Sequence, residues 1–284
     1  MAANPDIGAA LELQRADGVV RLVVTGSEYG TRIVDLFQQS SLRILFPRTG
    51  PAAVTEAVLI NTAGGIAGGD RLQYTVTALP EASIALTSQA AERVYRALNE
   101  PARVTTRLQV CAGARLAWLP QETIVFNGGR LQRETEIDLT AGAQLLALEW
   151  LVLGRSAHGE RLVRGQICDG WRVRRGGRLI WADTFRATDE VFPLLRNRAL
   201  LADFTAFGTL IYFGPDVGTR LESVRELAPR LPCYCVGTVV ADLVIVRLAA
   251  QASAELREGV QAVLHQFEYE SGCGPLRVPK MWSC

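Results

Sequence analysis

Lysine is almost missing from this 284-residue chain: it occurs once, at Lys280, so nearly all of the 30 basic residues are arginine. Histidine occurs only at His158 and His265. The shortage removes whole classes of chemistry. A phosphate-binding P-loop needs a lysine directly after its glycines, and none stands there. A Ser-His-Asp hydrolase would need one of the two histidines, and the chain has no Gly-x-Ser-x-Gly nucleophile elbow. Six cysteines (Cys111, Cys168, Cys233, Cys235, Cys273 and Cys284) are scattered too widely for a disulfide framework and imply reduced thiols. The one close pair, Cys233 and Cys235, falls short of a closed zinc site, and small core thiols are its plain alternative. No run nears the ~18 apolar residues of a membrane span, and residues 1–15 hold Asp6, Glu12 and Arg15 where a signal peptide needs an apolar core. A net charge of +1 gives no electrostatic reason to invoke nucleic acid or an anionic membrane. The expectation is a soluble cytoplasmic protein.

What the chain has is apolar residues, at 49%, enough for a sizeable core, and glycine. The densest glycine stretch is Asn61-Thr-Ala-Gly-Gly-Ile-Ala-Gly-Gly-Asp70, between the apolar run Val58–Ile60 and the alternating segment Arg71–Thr77. It lacks the dinucleotide spacing Gly-x-Gly-x-x-Gly and leads into a strand, where that fingerprint must open a helix. It reads as a structural corner between two strands, with Asp70 at its exit.

Beyond Pro80 the chain repeats itself. Glu81-Ala-Ser-Ile-Ala-Leu, Gly113-Ala-Arg-Leu-Ala-Trp, Gly142-Ala-Gln-Leu-Leu-Ala and Gly176-Gly-Arg-Leu-Ile-Trp each give a turn residue, small and polar residues and an apolar strand core. Alternating segments at 102–110 and 130–139 lie between them. A period near thirty built of short strands and turns predicts a mainly β protein, a β-helix-like stack, although any strand-rich chain shares some of this pattern. After Thr184 the texture changes. Helical spacing at 220–230 carries Leu221, Val224 and Leu227; a second helix over 253–269 carries Leu256, Val260, Val263, Leu264 and Phe267 on one face, with Ser253 as its cap. No linker separates the parts, so one domain over 1–284 is expected, with β-layers at 18–190 and mixed strands and two helices at 196–284.

Five acids sit beside glycine turns or at strand ends among apolar neighbours: Asp70, Glu122, Glu149, Glu160 and Asp183. Buried carboxylates must be paired or hold a cation. Arginines such as Arg130 and Arg155 could pair them structurally, so both readings stand.

The glycine stretch 61–70, Thr87-Ser-Gln-Ala-Ala-Glu-Arg-Val-Tyr-Arg96, Leu119-Pro-Gln-Glu-Thr-Ile-Val-Phe126, and Leu148-Glu-Trp-Leu-Val-Leu-Gly-Arg155 followed by Gly159-Glu160 resemble, in order and spacing, the urease accessory protein UreD (UreH) family. The resemblance implies a non-catalytic maturation factor with a β-helix-like fold and two helices. It implies partners: apo-urease, UreF and, through UreF, the GTPase UreG. It implies no tightly bound cofactor but transient nickel, carried toward the urease active site through a polar interior passage. On that reading Asp70, Thr87, Ser88, Glu122, Glu149, Glu160 and Asp183 are the candidate lining residues. The UreF contact is expected on Leu221, Val224, Leu227, Leu256 and Val260, exposed beyond what the β-stack covers and limiting solubility without the partner. Two other readings stand beside it: a β-solenoid adaptor of some different complex, and a metal-binding hydrolase that two histidines hardly supply.

Overall fold

A computed structural model describes residues 14–47, 54–155, 158–269 and 279–283. Strands β1 (Asp17–Ser27) and β2 (Gly30–Gln39) form a hairpin, and β3 (Leu42–Leu45) pairs antiparallel with β4 (Thr55–Asn61). The chain then coils. Its first turn is β5 (Arg71–Ala78), β6 (Ser83–Ser88) and β7 (Glu92–Val94); its second is β8 (Ala102–Val110), β9 (Arg115–Trp118) and β10 (Thr123–Val125). The third is β11 (Arg130–Leu139) and the long β12 (Gln144–Arg155). After β13 (Glu160–Arg161) come β14 (Gln166–Arg175) and β15 (Arg178–Ala187), then β16 (Ala206–Phe213), α1 (Val217–Leu227), β17 (Tyr234–Val240), β18 (Leu243–Ala250) and α2 (Ser253–Tyr269).

Each turn of the coil lays one strand in each of two facing sheets. The first sheet runs β15-β14-β11-β8-β5-β1-β2, and the second runs β17-β18-β16-β12-β9-β6-β4-β3. Between successive turns the pairing is parallel: Ser83 aligns with Arg115 and Arg115 with Gln144. A short third ladder closes one side, with β7 on β10 and β10 on the Leu151–Leu153 part of β12. The stacked β-layers expected from the period are therefore present.

The repeated turn residues are the corners between the sheets. Ala82, Ala114 and Ala143 donate their N–H groups to the carbonyls of Leu79, Cys111 and Thr140. The residue before each, Glu81, Gly113 or Gly142, has a φ of 60, 72 or 78°. With Pro80 or alanine ahead of it, this is a type II turn, whose third residue must take positive φ. The corners stack on one another, the Gly113 N–H donating to the Gly142 carbonyl at 3.1 Å. The fourth repeat departs from this. Gly176 and Gly177 both have positive φ, the mark of a two-residue hairpin turn, so β15 folds back antiparallel on β14 instead of crossing to the second sheet.

The glycine stretch is a corner as well. Ile66 takes the place of a rung below β7, exchanging backbone hydrogen bonds with Arg93 and Tyr95. A Cβ on Gly65 would lie 2.4 Å from the Tyr95 ring and 2.9 Å from the Arg93 carbonyl. Asp70 closes the loop, its two carboxylate oxygens accepting from Ala16 N–H at 2.9 Å and Ala67 N–H at 2.7 Å.

One core fills the space between the sheets, and a second lies on the far face of the second sheet, under the helices. Here the expected partner surface is overturned. Val224, Leu256 and Val260 are fully buried and Leu221 nearly so, packed with Leu146, Leu148, Trp150, Val244 and Val246; Leu227 is partly buried against them. The second sheet is apolar on both faces, as β12 shows, and its outer face absorbs these helix residues. The exposed apolar side chains lie elsewhere, among them Tyr234, Val236, Val239 and Val240 on β17. Helix α2 has its expected bounds, but Ser253 is its first residue; Glu255 reaches back to the Ala252 N–H at 3.3 Å, one half of a capping box. Among the described residues no helix is long and apolar enough to cross a membrane.

The turn geometry sets an order of sensitivity. Gly142→Ala has room for its Cβ and meets only the left-handed backbone strain, about 1–2 kcal/mol. Gly65→Ala adds a collision with a ring and a carbonyl, so its loss of stability in urea unfolding should exceed that of Gly142→Ala. Equal losses would contradict the corner assignment.

Candidate functional site

Inward positions of the first sheet can be read off its register. Leu72, Val104, Arg133 and Asp169 form one rung, and Tyr74, Thr106, Thr135 and Trp171 the next. Most of the other inward residues of the coil are apolar. These two rungs bring polar groups inside, beside a cavity of about 280 Å3. Its other walls come from Asn61, the Gly64–Ile66 corner, Ser88–Arg93, Trp118, Pro120, Gln121, Thr123 and Glu149.

Arg133 ties the walls together. Its Nε and Nη2 donate to the two oxygens of Asp169, both at 2.8 Å. Its Nη1 donates to Glu149 Oε2 across the coil at 2.6 Å and to Thr123 Oγ1 at 3.1 Å. The other Glu149 oxygen accepts from Trp118 Nε1 at 2.8 Å. One guanidinium thus faces two carboxylates, and all three side chains are buried. Burial raises the Glu149 pKa above its ordinary value in spite of Arg133. Burial opposes the charge on Arg133, but Asp169 and Glu149 outweigh it and hold the guanidinium protonated.

Glu92 faces the same cavity with no guanidinium on it. Its carboxylate accepts from Asn61 Nδ2, at 3.2 Å to each oxygen, and from the Arg93 backbone N–H. Burial pushes its pKa up to about 7 from 4.5. The Tyr74 hydroxyl is held protonated by burial and by the charges of Glu92 and Glu149. Gln121 is buried and its Oε1 has no hydrogen-bond partner. The cavity is therefore rich in oxygen atoms, with Arg93 and Arg133 beside Glu92 and Glu149 in its lining. Among the described residues no group of three or more His, Cys, Asp and Glu side chains is placed to hold a metal ion.

Of the residues expected from the sequence, the structure brings Ser88 and Glu149 to this cavity. The others are dispersed. Asp70 caps the glycine corner. Thr87 is buried on the opposite face of β6 from Ser88, as strand alternation requires. Glu122 pairs with Arg257 of α2 at 2.6 Å and Asp183 with Arg247 at 2.7 Å. Glu160 pairs with Arg155 at 2.6 Å, which lowers its pKa. Arg133, Asp169, Glu92, Tyr74 and Gln121 were missed. A signal existed for two of them. Arg133 interrupts the inward series Leu131, Thr135, Ile137 and Leu139, and Asp169 stands between inward Ile167 and Trp171. Cys233 and Cys235 lie together against the helices, and burial raises both thiols, Cys235 to about 12.

Comparison with known proteins places this geometry. The family model for the UreD urease accessory protein matches residues 16–283. The chain belongs to the UreD urease accessory protein family. It is 41% identical over 286 residues to the urease accessory protein UreD of Xanthobacter autotrophicus, covering 99% of this chain and 96% of that protein. It is 39% identical to UreD of Rhizobium rhizogenes, over 97% of this chain and 98% of the relative. UreD 1 of Brucella melitensis biotype 1 is 38% identical, over 97% and 96%. Family membership supports a role in urease maturation, and the cavity lies within the matched span.

Glu92 yields a pH signature. The folded protein keeps its proton up to about 7, while the unfolded chain releases it near 4.5. Stability therefore falls as pH rises through that window, by roughly 3 kcal/mol in all. Glu92→Gln should remove this loss, so variant and wild type converge near pH 4.5 and diverge in the variant's favour by pH 8. Parallel unfolding curves across that range would show that burial does not hold the Glu92 proton.

Proposed function

We propose that this chain is a non-catalytic scaffold of urease maturation in the cytoplasm, binding apo-urease and UreF and, through UreF, the GTPase UreG. Nickel is its cargo, and the interior cavity is the path the metal takes. The observation that carries the proposal is an oxygen-lined cavity inside a coil whose interior is otherwise apolar. Family membership supplies the setting.

The donor chemistry suits transit. Glu92, Glu149, Ser88, Tyr74, Gln121 and Asn61 offer oxygen atoms, with no imidazole or thiol in the lining. Nickel bound by such ligands is held less firmly than by nitrogen and sulfur, as a conduit requires. In this proposal Ser88 and Glu149 stay lining residues. Asp70, Thr87, Glu122, Glu160 and Asp183 keep loops and layers in place. The missing P-loop agrees with GTP hydrolysis belonging to a partner.

Deleting the gene in cells that carry the urease operon tests the role. The expected result is intact urease protein with little nickel and little activity, restored by the wild-type gene. Fully nickelated, active urease in the deletion strain would leave an adaptor of another complex as the better reading.

A further inference from the structure

The third ladder has two faces. One looks into the cavity; the other floors a groove of about 570 Å3 on the outside of the coil. Register places Arg93, Ile124 and Val152 in one outward row. Alternation puts Tyr95, Phe126 and Gly154 in the next, all six lining the groove. The floor is preorganised. Tyr95 and Phe126 meet edge to face at 5.3 Å, and the Tyr95 hydroxyl donates to the Gly64 carbonyl at 2.8 Å. Ile124 and Val152 belong to the same apolar layer that α2 covers, and Ser253, the first residue of α2, stands at the groove's margin. The cover stops there while the apolar face continues.

The rim is basic. Arg93, Arg155 and His158 line the groove, and among the described residues no carboxylate does. Arg155 lies over the Phe126 ring at 4.2 Å and is held by Glu160, while Arg93 and His158 are exposed. An apolar floor with a charged rim is the anatomy of a protein docking site, and charge fixes the sign of its occupant. Arg93 also borders the cavity, so an occupant of the groove sits beside the wall of the interior path.

We propose that this groove is the docking site for an acidic protein segment that carries an apolar or aromatic anchor, supplied by a partner in maturation. The choice of partners to test rests on the function proposed above. The floor takes the anchor, the rim pairs with its carboxylates, and the docked segment lies one strand away from the cavity. Because the rim groups are exposed, attraction should weaken with salt.

Arg93→Glu with His158→Glu tests the proposal, since both side chains are exposed and their reversal should leave folding intact. Two probes are used in parallel: purified apo-urease and UreF, and a synthetic heptapeptide alternating glutamate and phenylalanine. The expected result is a loss of at least tenfold in affinity for one of the two proteins and for the peptide. Wild type should lose its advantage at high salt, and a glutamine–phenylalanine peptide should bind neither form well. Unchanged affinity for both proteins and the peptide overturns the proposal. So does a fall in the variant's own melting temperature in step with lost binding, because the groove would then be covered by this chain. The peptide arm reads the groove by itself: if it responds while neither protein binds wild type, the proposed partners are wrong and the groove stands.

Discussion

A guanidinium locked between two carboxylates, Arg133 with Asp169 and Glu149, is the interaction on which the interior of this protein depends. It joins neighbouring strands of the first sheet and crosses to the second. Removing one member of such a buried set is strongly destabilising, commonly about 3–5 kcal/mol, because the remaining charges lose their partner. The set also holds two carboxylates for one guanidinium, and burial pushes the Glu149 carboxyl toward its protonated form. A coil stabilised only by burial would have filled this space with aliphatic side chains, as it does on the neighbouring rung of Val76, Leu108, Ile137 and Val173. Stability alone does not account for the polar rungs.

The stacked corners make that interior possible. Type II turns at Glu81, Gly113 and Gly142 hold successive strands in register, so polar side chains on neighbouring turns meet as neighbours in space. The glycine stretch at 61–70 adds one more layer below β7 and supplies a cavity wall made of backbone. Asp70 belongs to that framework: its carboxylate is committed to two backbone N–H groups and is not directed at a cargo.

Much of this architecture was legible in the sequence because turns are local. Positive-φ residues at a period near thirty mark the corners, and the apolar face of α2 marks its helix. What was not legible depended on which faces meet. β2, an edge strand with little burial, carries no such pattern. The helix residues Leu221, Val224, Leu256 and Val260 read as surplus apolar surface because the unbroken apolar run of β12 does not reveal that its sheet needs cover on both faces. The fourth repeat looked like the other three, yet a second positive-φ glycine turned it into a hairpin. Acids beside glycines were the natural candidates for the site. The cavity, however, is built on inward strand positions, where an arginine at 133 and an aspartate at 169 among apolar neighbours were the sharper signal. Glu92 lay inside a recognised motif but carried no local mark of burial.

The account stands or falls on whether nickel passes through the cavity. The direct measurement is nickel transferred to urease, per assembled complex, by the Glu92→Gln variant. The change keeps side-chain shape, leaves the Arg133 set intact and replaces a lining carboxylate by an amide. The account predicts a complex that assembles with its usual partners and delivers nickel far more slowly than wild type. Nickel delivery at the wild-type rate by the assembled variant would contradict it, and would leave the cavity's polar groups to structure alone.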